Sequence, residues 1–278
     1  MTIMEAKISK PFVMSKSNNI KTLSVKNLGF SYPKSEQIFS NINFELKTNE
    51  TLCLLGPNGC GKTTLLDCLI GLNNPTSGEI CIDGKPTNKM TSKKVAHNIG
   101  YVSQTITATF DYSVIDYVVC GCAPYLKMFK RPGKEEYDKA YKSLEKMNIT
   151  HLKDKSYAQI SGGEQQQVCI ARVLTQAPDF ILLDEPTSHL DFGNQLQVLK
   201  LIKKMSNTGF GLILTTHNPD HALLMKGKTV IMKKNDDYLF GQTEEIVTQE
   251  SLRKLYGVDL FLEDSKHAKR TTVVAPNI

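Results

Sequence analysis

Two patterns of apolar residues divide the chain. In the first, apolar residues alternate with polar ones at Leu23, Val25, Leu28, Ile42, Phe44 and Leu46. This alternation predicts antiparallel strands with one buried face. In the second, residues 52–55, 180–183 and 211–215 are short, uncharged and mostly apolar, and segments of helical character follow them. Such runs predict buried parallel strands of an α/β sheet, and 80–82 and 99–102 are further strand candidates.

A charge-rich stretch interrupts this strand pattern. Residues 113–150 have helical spacing that is broken at Pro124 and again at Pro132. We therefore expect an inserted, mostly helical subdomain over about 105–176. The predicted fold class is α/β, with a mostly parallel sheet, an N-terminal antiparallel β subdomain and this inserted α-helical subdomain.

Short elements are predicted in the C-terminal part of the chain. Residues 230–241 indicate a hairpin that turns near Asn235 and Asp236. Short helices are expected over about 244–256. Residues 263–278 are interpreted as a basic tail.

Composition and charge narrow the class of protein. The 278 residues are 40% hydrophobic and 22% charged, as expected for one or two globular domains. Of the formal charge of +6, residues 1–21 and 265–278 each contribute +3, so the body between them is neutral and a nucleic-acid partner is disfavoured. Residues 1–21 are predicted to be a flexible leader, and no apolar run predicts a membrane span. The seven cysteines contain no CxxC pair and are expected to be reduced thiols.

A glycine-rich loop is the strongest chemical signal. Residues 56–63 fit the pattern GxxxxGK[ST] between an apolar strand and a helix. Glycines let successive N–H groups point inward, so the loop and the helix N-terminus form a cradle for phosphate. Lys62 is expected to hold the β- and γ-phosphates of a nucleotide and to act in catalysis, and the Thr63 hydroxyl to ligate Mg²⁺. The nucleotide-binding residues predicted here are Gly56, Pro57, Asn58, Gly59, Cys60, Gly61, Lys62, Thr63 and Thr64.

Polar residues also end two other predicted strands. Asp184 and Glu185 follow the run 180–183 directly. Asp184 is predicted to face the metal through water, and Glu185 to act as the general base that polarises the attacking water. His217 closes a third strand, where its imidazole is expected to contact the γ-phosphate or that water.

A second glycine motif identifies a family. Residues 160–167, Ile-Ser-Gly-Gly-Glu-Gln-Gln-Gln, resemble the LSGGQ signature of ATP-binding cassette (ABC) proteins, with Ile160 for Leu and Glu164 for Gln. The resemblance implies a P-loop NTPase core and a homodimer in which two cassettes pack head to tail. Each ATP then lies between the phosphate loop of one copy and the signature of the other. This adds ATP contacts from Ser161, Gly162, Gly163 and Glu164.

Other motifs of the family follow in the family's order over about 22–262, the predicted ABC ATPase domain. The resemblance implies that Tyr32 stacks on adenine and that Gln104 contacts Mg²⁺ and takes part in catalysis. It places Asp191 in the loop at the dimer contact, near ATP, and makes His217 the switch histidine.

The resemblance also implies a task for the chain. A single cassette without a membrane span is similar to the ATP-binding subunit of an importer, held at the cytoplasmic face of the membrane by separate permease subunits. An extracytoplasmic substrate-binding protein is then an indirect partner. His189, with segments 114–125 and 248–258, resembles importers of iron-siderophore, haem and cobalamin type. Importers of molybdate, zinc or manganese and a soluble ABC ATPase without transport stay open, because the cassette does not touch the cargo.

Overall fold

The protein consists of two compact units. In this computed structural model the described residues are 19–104, 111–233 and 238–277. One unit contains Thr107–Gln176, and the other contains Asn19–Ile106 and Ala177–Ile278. The predicted insertion, about 105–176, overlaps the range of the smaller unit, and residues 105–110 lie outside the described residues. Most of the predicted leader, residues 1–18, also lies outside them.

Strands dominate the larger unit, and helices form the smaller one. The strands are β1 (Thr22–Ser31), β2 (Gln37–Lys47), β3 (Thr51–Leu55), β4 (Ser77–Ile82), β5 (Lys85–Pro86), β6 (Ile99–Val102), β7 (Phe180–Leu183), β8 (Gly211–Thr216), β9 (Lys228–Ile231), β10 (Leu239–Gln242), β11 (Phe261–Ser265) and β12 (Arg270–Val274). The helices are α1 (Lys62–Leu69), α2 (Ser92–Asn98), α3 (Val114–Val119), α4 (Lys134–Met147), α5 (Gly162–Gln176), α6 (Phe192–Ser206), α7 (Pro219–Met225), α8 (Thr243–Ile246) and α9 (Gln249–Tyr256). None of the helices in the described ranges is long and apolar enough to cross a lipid bilayer.

The predicted antiparallel sheet is confirmed, in the order β2-β1-β4-β5. Leu23 pairs with Leu46 and Val25 with Phe44 across β1 and β2. Their side chains are almost fully buried, as the alternating pattern predicts.

The predicted parallel sheet is also confirmed, in the order β10-β9-β3-β8-β7-β6. Strands β6, β7, β8, β3 and β9 are parallel, and β10 joins the edge in the antiparallel sense. Every residue of β3, β7 and β8 is buried, which explains their uncharged sequences. Because neighbouring parallel strands end at the same edge, this sheet brings together the residues that follow β3, β7 and β8.

The smaller unit packs α3, α4 and α5 against one another. α3 ends in a 3₁₀ turn, Cys120–Tyr125, that contains Pro124. A side chain at Gly121 in that turn would collide with the Arg172 carbonyl of α5, so a glycine is required for the close approach. The rings of Tyr117 and Tyr157 stack at 4.4 Å, and both hydroxyls contact the Cys169 sulfur.

The C-terminal part differs from its prediction in one respect. The β9–β10 hairpin and the helices α8 and α9 form as expected, with Asn235 and Asp236 outside the described residues. Residues 263–278, however, do not form the predicted tail: β11 and β12 pair as a second antiparallel hairpin. The β-branched run Thr271–Val274 favours a strand, and Val273 packs on a hydrophobic cluster with Leu262. The prediction was wrong here because it was based on charge alone.

Candidate functional site

The glycine-rich loop lies between the fully buried strand β3 and helix α1. Gly61, at the helix N-cap, has φ +100°, a left-handed conformation that glycine adopts without strain. A side chain at Gly56 would meet the Met232 carbonyl, so this position also needs glycine. The Lys62 ammonium is buried inside the loop and donates to the carbonyls of Gly56 at 2.8 Å and Pro57 at 3.0 Å. The loop is therefore pre-shaped around its own lysine.

Asp184 is the most buried charged side chain at this edge, with 1% of its surface exposed. It accepts hydrogen bonds from the Thr63 hydroxyl at 2.8 Å and from the Thr215 hydroxyl at 2.6 Å. The Tyr101 hydroxyl lies 3.3 Å from the same carboxylate. The structure thus brings Thr63 and Asp184, the predicted metal ligands from separate motifs, into contact.

The Glu185 carboxylate contacts three other polar side chains of the site. The Glu185 side chain is 10% exposed, and one carboxylate oxygen lies 3.3 Å from the Lys62 ammonium. The other oxygen lies 3.5 Å from Nδ1 of His217 and 3.4 Å from the Gln104 amide nitrogen. All four residues predicted to be catalytic therefore meet at one carboxylate.

The backbone at Glu185 is constrained as well. Its φ is +41°, an uncommon value for a non-glycine residue, and it typically costs about 1–3 kcal/mol. The Glu185 N–H donates to the Thr215 hydroxyl at 2.7 Å, while that hydroxyl donates to Asp184. The Ser188 N–H and hydroxyl both donate to the Glu185 carbonyl. These bonds hold the strained residue in place and fix the two acids relative to each other.

Hydrogen bonds from neighbouring residues support His217 and the segment that follows it. The His217 imidazole is 56% exposed, and the main-chain carbonyl of His217 accepts a 2.7 Å hydrogen bond from the Tyr256 hydroxyl. His221, one turn further on in α7, is buried, with Nδ1 3.0 Å from the Thr216 hydroxyl and 3.5 Å from that of Thr187. Burial, with a smaller contribution from His217, lowers the pKa of His221 to about 4, so it is neutral near pH 7.

Two predicted contact residues lie on loops of the same unit. Tyr32 is 42% exposed, and its ring is perpendicular to that of Phe30 with the ring centroids 4.9 Å apart. Asp191 is the N-cap of α6 and accepts a 2.9 Å hydrogen bond from the Asn194 N–H. That hydrogen bond holds the pKa of Asp191 below its ordinary value.

The signature motif lies at the start of α5 in the smaller unit. Glu164 accepts hydrogen bonds from the Ser161 N–H at 2.8 Å and the Ser161 hydroxyl at 2.7 Å. These two bonds lower the pKa of Glu164, which therefore stays ionised at neutral pH. Gly162 and Gly163 form the first turn of the helix. The Ser161 N–H and hydroxyl therefore bind a carboxylate of the same chain.

Several residues of the site were not predicted from the sequence. Thr215 bridges the two acids, Tyr101 contacts Asp184, and His221 and Tyr256 support the segment after β8. One signal was available: the run 211–216 is apolar until Thr215 and Thr216, and polar residues at the carboxyl end of a buried strand point to a site. No comparable sequence pattern indicates Tyr256.

Comparisons with known proteins agree with this geometry. Residues 39–188 match the family model described as ABC transporter. The chain belongs to the ABC transporter family. It is 36% identical over 248 residues to the molybdate import ATP-binding protein MolC of Haemophilus influenzae, covering 89% of this chain and 92% of MolC. It is 33% identical over 238 residues to the ferric enterobactin transport ATP-binding protein FepC of Escherichia coli, covering 85% of this chain and 88% of FepC.

A solved structure extends the likeness to the fold. The chain superimposes with a TM-score of 0.82 and 35% identity on an ABC transporter in an inward-facing conformation, provisionally described as of metal-chelate type, over 92% of this chain and 98% of that chain. The predicted fold class is confirmed by this match and by the sheet order. This member of the ABC family is the ATP-binding subunit of a transporter and an ATP hydrolase.

Proposed function

We propose that the chain powers an importer of metal chelates by binding and hydrolysing ATP between two copies of itself. One observation carries the proposal: the Glu185 carboxylate lies within 3.5 Å of Lys62, Gln104 and His217, beside the buried Asp184, which binds Thr63. A buried acid with this set of partners suits general-base chemistry on a phosphorylated substrate.

ATP binding changes the partners of Lys62. In the structure its ammonium binds Glu185 and two loop carbonyls. The β- and γ-phosphates offer a stronger, charge-assisted set of acceptors, and the N–H groups of the loop and of α1 complete the cradle. Lys62 then leaves Glu185, whose carboxylate becomes available as a base. Adenine stacks on the exposed ring of Tyr32.

The residues present also suit Mg²⁺, which prefers oxygen ligands. The Thr63 hydroxyl and the Asp184 carboxylate lie 2.8 Å apart and supply such oxygens, and the Gln104 amide oxygen adds a third. When bound, Mg²⁺ neutralises charge on the β- and γ-phosphates. The Thr215 hydroxyl and the Tyr101 hydroxyl keep the Asp184 carboxylate in place for this role.

Hydrolysis follows from the position of Glu185. A water attacks the γ-phosphorus, the bond to the leaving β-phosphate oxygen breaks, and Glu185 takes a proton from the water. His217, 3.5 Å from Glu185, contacts the γ-phosphate or the same water. Rigid support from Thr215 holds the base in one orientation.

A second copy completes the site in this proposal. The N–H groups and hydroxyl of Ser161, Gly162 and Gly163 at the start of α5 bind the γ-phosphate held by the partner's loop. Glu164 must release the Ser161 donors for this contact to form. Asp191, which caps α6, lies at the contact between the copies. Closure and reopening of the dimer then drive the permease.

The cargo proposed is an iron-siderophore, haem or cobalamin type chelate, supported by the likeness to FepC and to the structure of provisional metal-chelate type. The permease subunits hold the chain at the cytoplasmic face of the membrane, and an extracytoplasmic binding protein delivers cargo to them. The 36% identity to MolC favours molybdate as the second candidate. Uptake by vesicles that contain this chain and its permease decides: accumulation of molybdate without any chelate would contradict the first choice.

The catalytic proposal is tested with Glu185→Gln. Loss of the base is expected to lower kcat about 100-fold or more, because general-base catalysis contributes factors of about 10²–10⁴. ATP binding should persist, and ATP should trap a dimer visible by light scattering. Glu145→Gln, the same change at an exposed position of α4, is the control and should hydrolyse ATP like the unaltered chain. Near-normal hydrolysis by Glu185→Gln would contradict the proposal.

A further inference from the structure

The segment that follows β8 is held by the C-terminal part of the chain. We call residues 217–220 the switch segment, because they join His217 to the first turn of α7, and residues 249–274 the C-terminal segment, which comprises α9, β11 and β12. Hydrogen bonds join the two at His217 and Asp220, an ion pair joins them at Asp220, and apolar packing of Leu223 in α7 adds to these contacts.

The first contact is made by α9. The Tyr256 hydroxyl donates a 2.7 Å hydrogen bond to the main-chain carbonyl of His217. Burial, with a smaller effect of Cys60, raises the pKa of Tyr256 well above its usual value, so the hydroxyl stays a donor at physiological pH. A bond to the carbonyl fixes the peptide plane of His217, and with it the direction of the imidazole toward Glu185.

The second contact is made by β12. The Asp220 carboxylate accepts hydrogen bonds from Arg270 at 2.9 Å, from the Thr272 hydroxyl at 2.9 Å and from the Val273 N–H at 3.2 Å. The Arg270–Asp220 pair is only partly exposed, 30% and 25%. Three donors from one strand fix the first turn of α7 more firmly than a single surface ion pair does.

Apolar packing connects the same elements to the phosphate loop. Leu262 of β11 and Val273 of β12 pack on a buried cluster that contains Leu55, the last residue of β3 before the loop. Leu223 of α7 and the Tyr256 ring pack on the same cluster. Also in α7, His221 contacts Thr187, two residues after Glu185. Helix α7, which follows the switch segment, is therefore held at both Leu223 and His221.

We propose that the C-terminal segment positions His217 for hydrolysis, with Tyr256, Arg270 and Thr272 as positioning residues. The inference rests on the proposed function, in which His217 acts beside Glu185. Loosening the contact lets the imidazole leave the orientation in which it lies 3.5 Å from Glu185. The rate of hydrolysis then falls, while the phosphate loop still binds ATP.

The test uses Tyr256→Phe, which removes one hydroxyl and keeps the ring in its cluster. We expect kcat to fall about fivefold, the effect typical of one hydrogen bond, with KM for ATP changed less than twofold. The imidazole signal of His217, assigned in ¹³C-histidine-labelled full-length protein by its loss in His217→Ala, should shift. Tyr125→Phe is the matched control, because the Tyr125 hydroxyl also donates to a main-chain carbonyl at 2.8 Å, that of Gln176.

A second variant covers the case in which Tyr256→Phe does not fold. Arg270→Gln combined with Thr272→Val removes two side-chain donors to Asp220 and should give the same pair of effects. An unchanged kcat, or a reduced kcat with an unmoved His217 signal, overturns the inference. The variant His217→Ala in the same assay separates the two failures. If this variant hydrolyses ATP at the normal rate, the proposed role of His217 is wrong. If it is slow while the C-terminal variants are normal, only the positioning role is wrong.

Discussion

We propose phosphate binding at two helix N-termini, and the two differ in the burial and hydrogen-bond partners of their polar groups. At the start of α1, Lys62 and Asp184 are buried, and they are bonded to groups on neighbouring strands or their loops. At the start of α5, the donors are near the surface and are bonded to Glu164 three residues away in sequence. The first site depends on the tertiary fold, and the second depends only on local sequence.

This difference has a physical consequence for the two regions. A substitution in the buried region leaves the charged partner of the replaced residue without water or another group to bind. An unpaired buried charge lowers the free energy of unfolding strongly. A change at the start of α5 exposes donors to water, which replaces most of the lost interaction. The buried region should therefore respond strongly to single substitutions, and the signature should respond weakly as long as one copy is studied alone.

The largest effect is expected from Lys62→Ala. It removes the cation that binds the loop carbonyls and leaves Glu185 without its ammonium partner. Truncating one member of a buried charge pair, here that of Lys62 with the phosphates, costs about 2–5 kcal/mol, so affinity for a fluorescent ATP analogue should fall about 30-fold or more. Lys203→Ala, which also removes a lysine bond to a carbonyl, is the control and should bind normally. Binding within a few-fold of the unaltered protein would remove Lys62 from the site.

An intermediate effect is expected from acid. Because burial lowers the pKa of His221 to about 4, the unfolded chain binds a proton at higher pH than the folded one. The free energy of unfolding should be unaffected above about pH 6.5 and should fall by up to about 3 kcal/mol as the pH drops toward 4. His217 opposes the charged form and Asp220 favours it.

His221→Gln tests that statement, because an amide keeps an acceptor for Thr216 but does not titrate. Urea unfolding between pH 7 and 4 should show a weaker acid dependence for the variant than for the unaltered chain. His267→Gln removes an exposed imidazole and is the control. Equal acid dependence of all three proteins would mean that His221 is not the buried group responsible.

Local sequence was sufficient for much of the fold and for the motifs. The alternation of Leu23 and Val25 with polar residues predicted the antiparallel pairing, and the uncharged runs predicted that β3, β7 and β8 are buried parallel strands. In both cases a period of two or a continuous run reports burial directly. The residues placed at the carboxyl ends of those strands, Asp184 and His217, follow from the same rule.

The sequence was insufficient where a residue acts through distant neighbours. Tyr256 lies 39 positions from the carbonyl that it binds, and Arg270 lies 50 positions from Asp220. No local sequence period connects such pairs. A stretch rich in cations is interpreted as exposed to solvent unless its strand partner is known. Thr215 was within reach of prediction, as the polar end of an apolar strand.

The smallest effect is expected at the signature, from Glu164→Ala. Loss of the bonds from Ser161 should lower the free energy of unfolding by about 1 kcal/mol, as for other helix N-terminal caps, and leave ATP binding by the monomer unchanged. Since the Ser161 donors lower the pKa of Glu164, its contribution is present above the ordinary glutamate pKa and is lost as the pH falls through the lowered value. Urea unfolding should therefore separate variant and parent at pH 7 but not in strong acid. Glu145→Ala, at an exposed position of α4, should match the parent throughout. A difference that persists undiminished in acid would show that Glu164 stabilises α5 by something other than its charge.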